Sequence, residues 1–449
     1  MGDPVCSSIL TSAFIILPFP MRLLHLSTGD AGGGAARAAH RLHTGLRGLG
    51  VDSSMLVLRR TSGDPTSRKI TFAQDLPTRL KRSWRGRQIR RDFAPYKPTL
   101  PPGFELFSDD RTEVGYDLVR NVARGGPWDV INLHWVGGLV DYGLLLHHLP
   151  AGVPVVWRLA DMGPLTGGCH YDGGCGKFTD RCGACPVLGS HVDDDLSRQV
   201  WQRKREALAA IPTDRLTLVG TSRWIAGEAR RSSLFGRFPV QVIPNGLDTD
   251  AFAPRDRAFS RNLLGVPLDR RVVLFVAEAT DIKRKGFDQL AAALGRLDGT
   301  PGLFLLSVGE REPQLPNAPN LPRKHLGRLN DDRLLSVAYS AADVFVIPSL
   351  QESFGQTVTE AMACGTPVVG FDVGGIPDMV RPGVTGELVP VGDDAALAEA
   401  IRQLLADPDR ARRLGEGGRR VAVEEYGLPL QASRYLELYR TVLGRPAAA

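Results

Sequence analysis

The stretch QESFGQTVTEAMACGTPVV, residues 351 to 369, decides the fold. The run before it, DVFVIPS (343–349), is continuously apolar, the pattern of a strand buried on both faces of a parallel sheet. The run after it, PVVGFDVGG (367–375), reads as a second strand ending in a glycine turn. Between them the spacing predicts a helix from Gln356 to Cys364, stopped by Gly365. The result is a β–loop–α–β unit whose loop lies at the carboxyl end of a parallel strand, where open α/β sheets bind ligands.

Two carboxylates, Glu352 and Glu360, flank this loop and helix start. The helix start near Gln356 offers unpaired backbone N–H groups and partial positive charge, which suits a pyrophosphate. Ser353, Phe354 and Gly355 lead into it, and glycine lets the backbone come close to a ligand. A carboxylate beside phosphates is repelled by them, so Glu352 is better suited to accept hydrogen bonds from sugar hydroxyls. Glu360, over a turn further along, can reach the two ribose hydroxyls. The pair reads as a clamp on a nucleotide sugar. Standing alone, the same E-x7-E spacing would be a loop charge and a solvated helix residue.

The spacing does not stand alone. IPNGLDTDAF, IKRKGF, IPSLQESFGQTVTEAMACGTPVV, GGIPDMV and GVTGELVP follow in order through the second half of the chain. Together they resemble the retaining GT-B glycosyltransferases of family 4. The resemblance implies a GT-B fold of the α/β class: two Rossmann-like domains facing across a cleft, with a C-terminal helix crossing back to the first. It also implies a nucleoside-diphosphate sugar donor (UDP or GDP), retention of anomeric configuration, and no cofactor or obligatory metal at the reaction centre. In the basic run Lys283-Arg284-Lys285-Gly286, Arg284 and Lys285 would stabilise the departing diphosphate. The family usually places an Arg about five residues before that Lys; here the place holds Thr280, and Arg284 could serve instead. No dedicated nucleophile is needed, and Glu352 is expected to orient the sugar.

The rest of the chain divides around this unit. RLLHLS (22–27) enters the glycine loop Gly32, Gly33 and Gly34, which would bring backbone to a phosphate or the reacting sugar. The helix after it carries Ala35, Ala38, Ala39, Leu42 and Leu46 on one face. Strands at 53–58, 129–135, 153–161 and 216–222 complete a first Rossmann-like domain over 21–235, interrupted by insertions 60–112 and 162–195. The donor domain is expected over 236–427, with strands at 271–279, 303–310 and 324–329. Its helix 331–343 turns Leu334, Leu335, Ala338, Tyr339 and Ala342 inward. Residues 428–449 form the crossing helix and tail.

The segment VVWRLADMGPLTGGCHYDGGCGKFTDRCGACP resembles the bacterial exopolysaccharide subgroup of the family, the colanic-acid-type enzymes. Many relatives carry His-Asp where this chain has Ala160-Asp161, and the family's His helps hold the donor sugar. His134 and His170 are substitutes to consider, and Asp161 is the expected sugar or acceptor contact. Cys169, Cys175, Cys182 and Cys185 form C-x5-C-x6-C-x2-C. They could bind a structural zinc as a closed tetrahedral site. Reduced thiols or two disulfides are the alternatives.

Composition bounds the remainder. The 449 residues are enough for two or three domains, and no run of about 20 apolar residues is present to span a membrane. The net charge of +6 leans towards anionic partners such as nucleotides, phosphates or an acidic membrane surface; nucleic acid is not expected. The acceptor would be a growing glycan or a lipid-linked oligosaccharide. LPTRLKRSWRGRQIRR (76–91) sets Leu76, Leu80 and Trp84 at helical spacing among seven Arg and Lys, a candidate for peripheral contact with an anionic membrane. A cytoplasmic location is expected, peripherally on the inner face of the membrane if that contact is made. For residues 1–20 a signal peptide, a small anchor and a misassigned start compete. The missing basic n-region favours the last, with Met21 as the start.

Overall fold

The computed structural model describes residues 21–150, 152–278, 282–316 and 318–444. The start-site expectation at residues 1–20 and the Thr280 comparison lie outside them. Strands β1 to β7 are Arg22–Gly29, Asp52–Arg59, Ser67–Lys69, Val130–Leu133, Val155–Leu159, Leu216–Gly220 and Val240–Val242. Strands β8 to β13 are Arg271–Val276, Leu303–Val308, Arg323–His325, Val344–Ile347, Val368–Phe371 and Gly386–Val389. Helices α1 to α6 are Gly34–Gly48, Leu76–Phe93, Gly115–Gly125, Tyr142–His148, Leu196–Ala209 and Arg223–Arg231. Helices α7 to α13 are Arg257–Leu264, Phe287–Arg296, Asp332–Ala341, Gln356–Ala363, Asp394–Ala406, Pro408–Tyr426 and Leu428–Val442.

Among the described residues the strands form two sheets, in the orders β3-β2-β1-β4-β5-β6-β7 and β10-β9-β8-β11-β12-β13. Their pairings are parallel throughout. In each sheet the order reverses beside the first strand, between β1 and β4 and between β8 and β11. That reversal opens a crevice at the strands' carboxyl ends. The central strands β4, β5, β6, β11 and β12 are buried along their whole length, as their unbroken apolar runs require.

Two expectations are corrected. Strand β7 pairs with β6, Leu218 opposite Val240, so the first domain extends past residue 236. Leu334 is 47% exposed, because the inward stripe of α9 runs through Leu335, Ala338 and Tyr339 and leaves Leu334 beside it. The insertion at 60–112 supplies the edge strand β3 and the helix α2. The insertion at 162–195 holds only three short 3₁₀ turns.

Helix α13 crosses back to the first domain. Its Ala432, Tyr435, Leu436 and Tyr439 share one buried cluster with Met21, Leu23, Leu42 and Leu46. Gly45 in α1 makes room for this, since a Cβ there would stand 3.1 Å from Leu428.

Candidate active site

The two sheets face each other across a cleft of about 1080 Å³. Its first-domain wall includes Gly32, Gly33, Gly34, Trp135, Asp161 and His170. Its second-domain wall includes Lys285, Glu352, Ser353, Phe354, Gly355 and Gln356. The sequence-derived loops therefore converge on one space.

Gly32 and Gly33 have φ of 79° and 75°, and α1 begins immediately after them. A Cβ on Gly33 would stand 3.3 Å from the Glu278 carboxylate, and one on Gly32 would stand 3.3 Å from Arg328 Nη2. Opposite this loop, α10 starts after Gly355 at φ 92°. Gln356 reaches across and donates to the Gly34 carbonyl at 2.6 Å. Ser353 Oγ donates to the Ala160 carbonyl at 2.5 Å, and Ser222 Oγ to the Ser353 carbonyl at 2.6 Å. The domains thus touch beside the cleft through the loop that carries Glu352.

Glu352 is the centre of the charged group. Lys285 Nζ donates to its Oε2 at 2.6 Å. Burial alone would raise its carboxyl pKa, but Lys285, Arg284 and the Phe354 N–H hold it below the usual value. It is an ionised acceptor, suited to sugar hydroxyls. Its backbone is fixed too: Gly375 N–H donates to the Glu352 carbonyl at 2.9 Å, and a Cβ on Gly374 would lie 2.0 Å from that oxygen.

Arg284 and Lys285 have separate partners. The Arg284 guanidinium binds Glu105 at 3.0 Å and the Gln351 carbonyl at 3.1 Å, and lies over the Tyr171 ring at 4.2 Å. Glu105 belongs to the insertion at 60–112, so Arg284 ties that cleft wall to the second domain. Lys285 is the cation set directly against Glu352. Gly286 allows the approach: it has φ of 71°, and a Cβ there would lie 1.7 Å from the Pro348 carbonyl.

Glu360 sits differently from the expected ribose clamp. It is fully buried, beneath the cleft floor and not on its surface. Its Oε1 accepts from Arg37 and Arg41 at 3.2 Å each, and its Oε2 from the Tyr339 hydroxyl at 3.1 Å. Arg41 also donates to Asp332 at 3.0 Å. Burial would lower the Arg41 pKa, but the Glu360 and Asp332 charges keep it raised. The two arginines come from the first-domain helix after the glycine loop, and no local pattern marks them.

Asp161 lines the cleft, but its oxygens are already engaged. It accepts from Trp135 Nε1 at 2.8 Å and from the Gly163 N–H at 2.8 Å, and lies 2.7 Å from His170 Nδ1. Burial would raise its pKa, and His170 with these donors lowers it instead. With the His170 Nδ1 proton on the carboxylate side, Nε2 accepts from the Ser108 hydroxyl at 2.8 Å. Asp161 therefore positions a histidine beside Ala160. His134 does not reach the cleft in this way. It lies buried under β1, its Nδ1 accepting from Arg158 at 3.0 Å and its Nε2 2.7 Å from His25.

The four clustered cysteines, left open above between a structural zinc, reduced thiols and two disulfides, stand as free thiols. Among the described residues no three His, Cys, Asp or Glu side chains converge to hold a metal ion. Cys169, Cys182 and Cys185 are buried free thiols, while Cys175 is half-buried. A hydrogen bond between Cys169 and Cys185 holds the Cys185 thiol down to about 7. Cys182 Sγ instead accepts from the Gly167 N–H at 3.1 Å.

Comparison with known proteins agrees with this geometry. Residues 256–421 match the family Glycosyl transferases group 1. The chain is 33% identical over 352 residues to D-inositol 3-phosphate glycosyltransferase 1 of Catenulispora acidiphila, covering 68% of this chain and 83% of that protein. It is 37% identical over 222 residues to alpha-maltose-1-phosphate synthase of Mycolicibacterium smegmatis, a match covering 45% of this chain and 57% of that protein. The chain thus spans little more than half the length of that synthase. Two solved structures share the fold: sucrose-phosphate synthase of Thermosynechococcus elongatus (TM-score 0.65, 23% identity, 94% of this chain, 99% of that one) and Anabaena HepE with UDP and glucose (TM-score 0.65, 17% identity, 94% and 100%). The chain belongs to the group 1 glycosyltransferases and has their GT-B architecture.

Proposed function

We propose that the protein transfers a glycosyl group from a nucleoside-diphosphate sugar to a hydroxyl of a growing glycan or lipid-linked oligosaccharide. The transfer proceeds with retention and serves exopolysaccharide or cell-envelope synthesis. The observation that carries the reading is the Lys285–Glu352 pair, which faces the glycine loop across the cleft. The diphosphate lies between the Gly32–Gly34 loop and the start of α10, where backbone N–H groups and Lys285 take up its charge. Arg284 holds the wall that closes over it. Glu352 accepts hydrogen bonds from the donor sugar, and His170, fixed by Asp161, faces the same sugar where relatives use the residue replaced here by Ala160.

In the transfer the bond from the anomeric carbon to the diphosphate breaks, and its electron pair leaves with the phosphate oxygen. The acceptor oxygen bonds that carbon, and its proton passes to the departing diphosphate. UDP as the donor nucleotide is supported by the HepE structure with UDP and glucose; the GDP sugars are the competing class.

A thermal-shift screen of UDP, GDP and ADP sugars tests the donor, with K285M as control. Product anomers resolved by NMR then test retention. A shift with one nucleotide class, reduced in K285M, together with an axial product from an axial donor, is expected. Inverted product removes retention, and absence of any shift removes the donor assignment. Binding without turnover on any acceptor would favour the alternative opened by Ala160, a non-catalytic nucleotide-sugar binding protein.

A further inference from the structure

Helix α2 is built inside out. Its inward face carries arginines beside Gly86 and the half-buried Ile89: Arg82 binds Asp117 at 3.0 and 3.1 Å, and Arg85 binds Asp141 at 3.1 Å. Both carboxylates are buried. Its outward side chains include Leu76, Leu80 and Trp84, which are 64%, 60% and 63% exposed. At four-residue spacing these three form one stripe, and 100° per residue brings Arg87 and Arg91 onto the same face. A helix that served only the first-domain core would bury the leucines and expose the arginines.

The chemistry of the face selects its partner. Residues 76–91 contain no Asp or Glu. Arg79 and Arg87 are exposed, and neither side chain has a partner among the described residues. Arg91 pairs only with its neighbour Asp92. The stripe therefore combines an apolar ridge, a tryptophan and unneutralised cations, which suits the headgroup boundary of an anionic bilayer. The chain after α2 runs to Gly103, Phe104, Glu105 and Leu106, which wall the cleft. Among the described residues no helix is long and apolar enough to cross a membrane, so the contact would be peripheral.

We propose that α2 docks the protein on an anionic lipid surface. Leu76, Leu80 and Trp84 enter the interface, and Arg79, Arg87 and Arg91 face the lipid phosphates. The docking goes beyond the glycosyl-transfer reading and stands or falls without it.

The test is flotation of the full chain with vesicles of phosphatidylcholine, with and without phosphatidylglycerol. The intact protein floats with the anionic vesicles and not with the neutral ones. The exposed-face variant L76S/L80S/W84S lowers the bound fraction about tenfold or more, with its thermal midpoint retained. R79E/R87E, which touches no other group, also lowers it, and raised salt weakens the intact protein's binding. The proposal is overturned if the intact chain stays with neither vesicle, or if both variants float as well as the intact chain. It is also overturned if the intact chain is a dimer that the serine variant converts to monomer, since a second copy would then cover the stripe.

Discussion

Arg41 of the first domain and Glu360 of the second meet at 3.2 Å, beneath the floor of the cleft between them. Glu360 is fully buried, and its carboxylate accepts hydrogen bonds from two arginines and a tyrosine. Removing one partner of a buried ion pair leaves the other without compensation. R41Q is therefore expected to lower unfolding free energy by about 3 kcal/mol. R41K should recover part of it, since the lysine keeps the charge but not the fork that reaches Glu360 and Asp332 together. Chemical denaturation measures both, and a loss below about 0.5 kcal/mol for R41Q would remove the pair from the set of interactions joining the domains.

Lys285 sets the charge at the reaction centre. Replacing it by Met should lower kcat/KM about 10²- to 10³-fold, with the larger part in kcat, because its cation matters most as the diphosphate departs. Steady-state kinetics with the donor found in the binding screen decides it. A change within threefold would assign that work to another cation.

Gly286 is predicted to tolerate no side chain. An alanine there adopts a left-handed backbone and drives its Cβ into the Pro348 carbonyl, 1.7 Å away. G286A should destabilise the second domain by about 3 kcal/mol and also weaken donor binding, because the 283–285 turn must move. Donor affinity and thermal midpoint both unchanged would contradict the packing described.

Acid should weaken the fold through its buried histidines before most carboxylates titrate; Asp110, which burial and its neighbour Asp109 raise to about 6, is protonated in the same window and offsets part of one ring's effect. Burial pushes His25 and His134 well below the ordinary imidazole value, and pushes His43 to about 4. The unfolded chain takes up protons near pH 6.5 while the folded chain does not, so stability is complete above that value and falls as pH drops towards 4. Each ring contributes up to about 1.4 kcal/mol per pH unit in that window. Asp64 beside His43 is held at about 2 and stays ionised throughout. Unfolding midpoints at pH 8, 6 and 5 follow the effect, and a flat profile from 7 to 5 would show that the rings protonate in place.

The strands, the two domains and the converging loops were legible because each is written locally. Apolar runs mark buried parallel strands, and glycines before α1 and α10 mark where the backbone turns at the ligand. Lys285, Glu352 and the glycine loop came with that pattern. Leu334 misled because α9 has apolar residues on more than one face and only packing chooses between them. The side of Asp161 was legible, but its hold on His170 was not, since the two meet through a loop fold and not through spacing.

By itself the sequence determined the α/β architecture, the order of its elements and the loops that meet at the cleft, because period, capping and turn chemistry act over a few residues. Only the tertiary structure decided which partners those residues have. It gave Glu360 to two first-domain arginines, Arg284 to Glu105 of an insertion, and the outer face of α2 to solvent. These pairings join residues up to 323 positions apart. They are set by how two packed domains approach each other, and no local period encodes that distance.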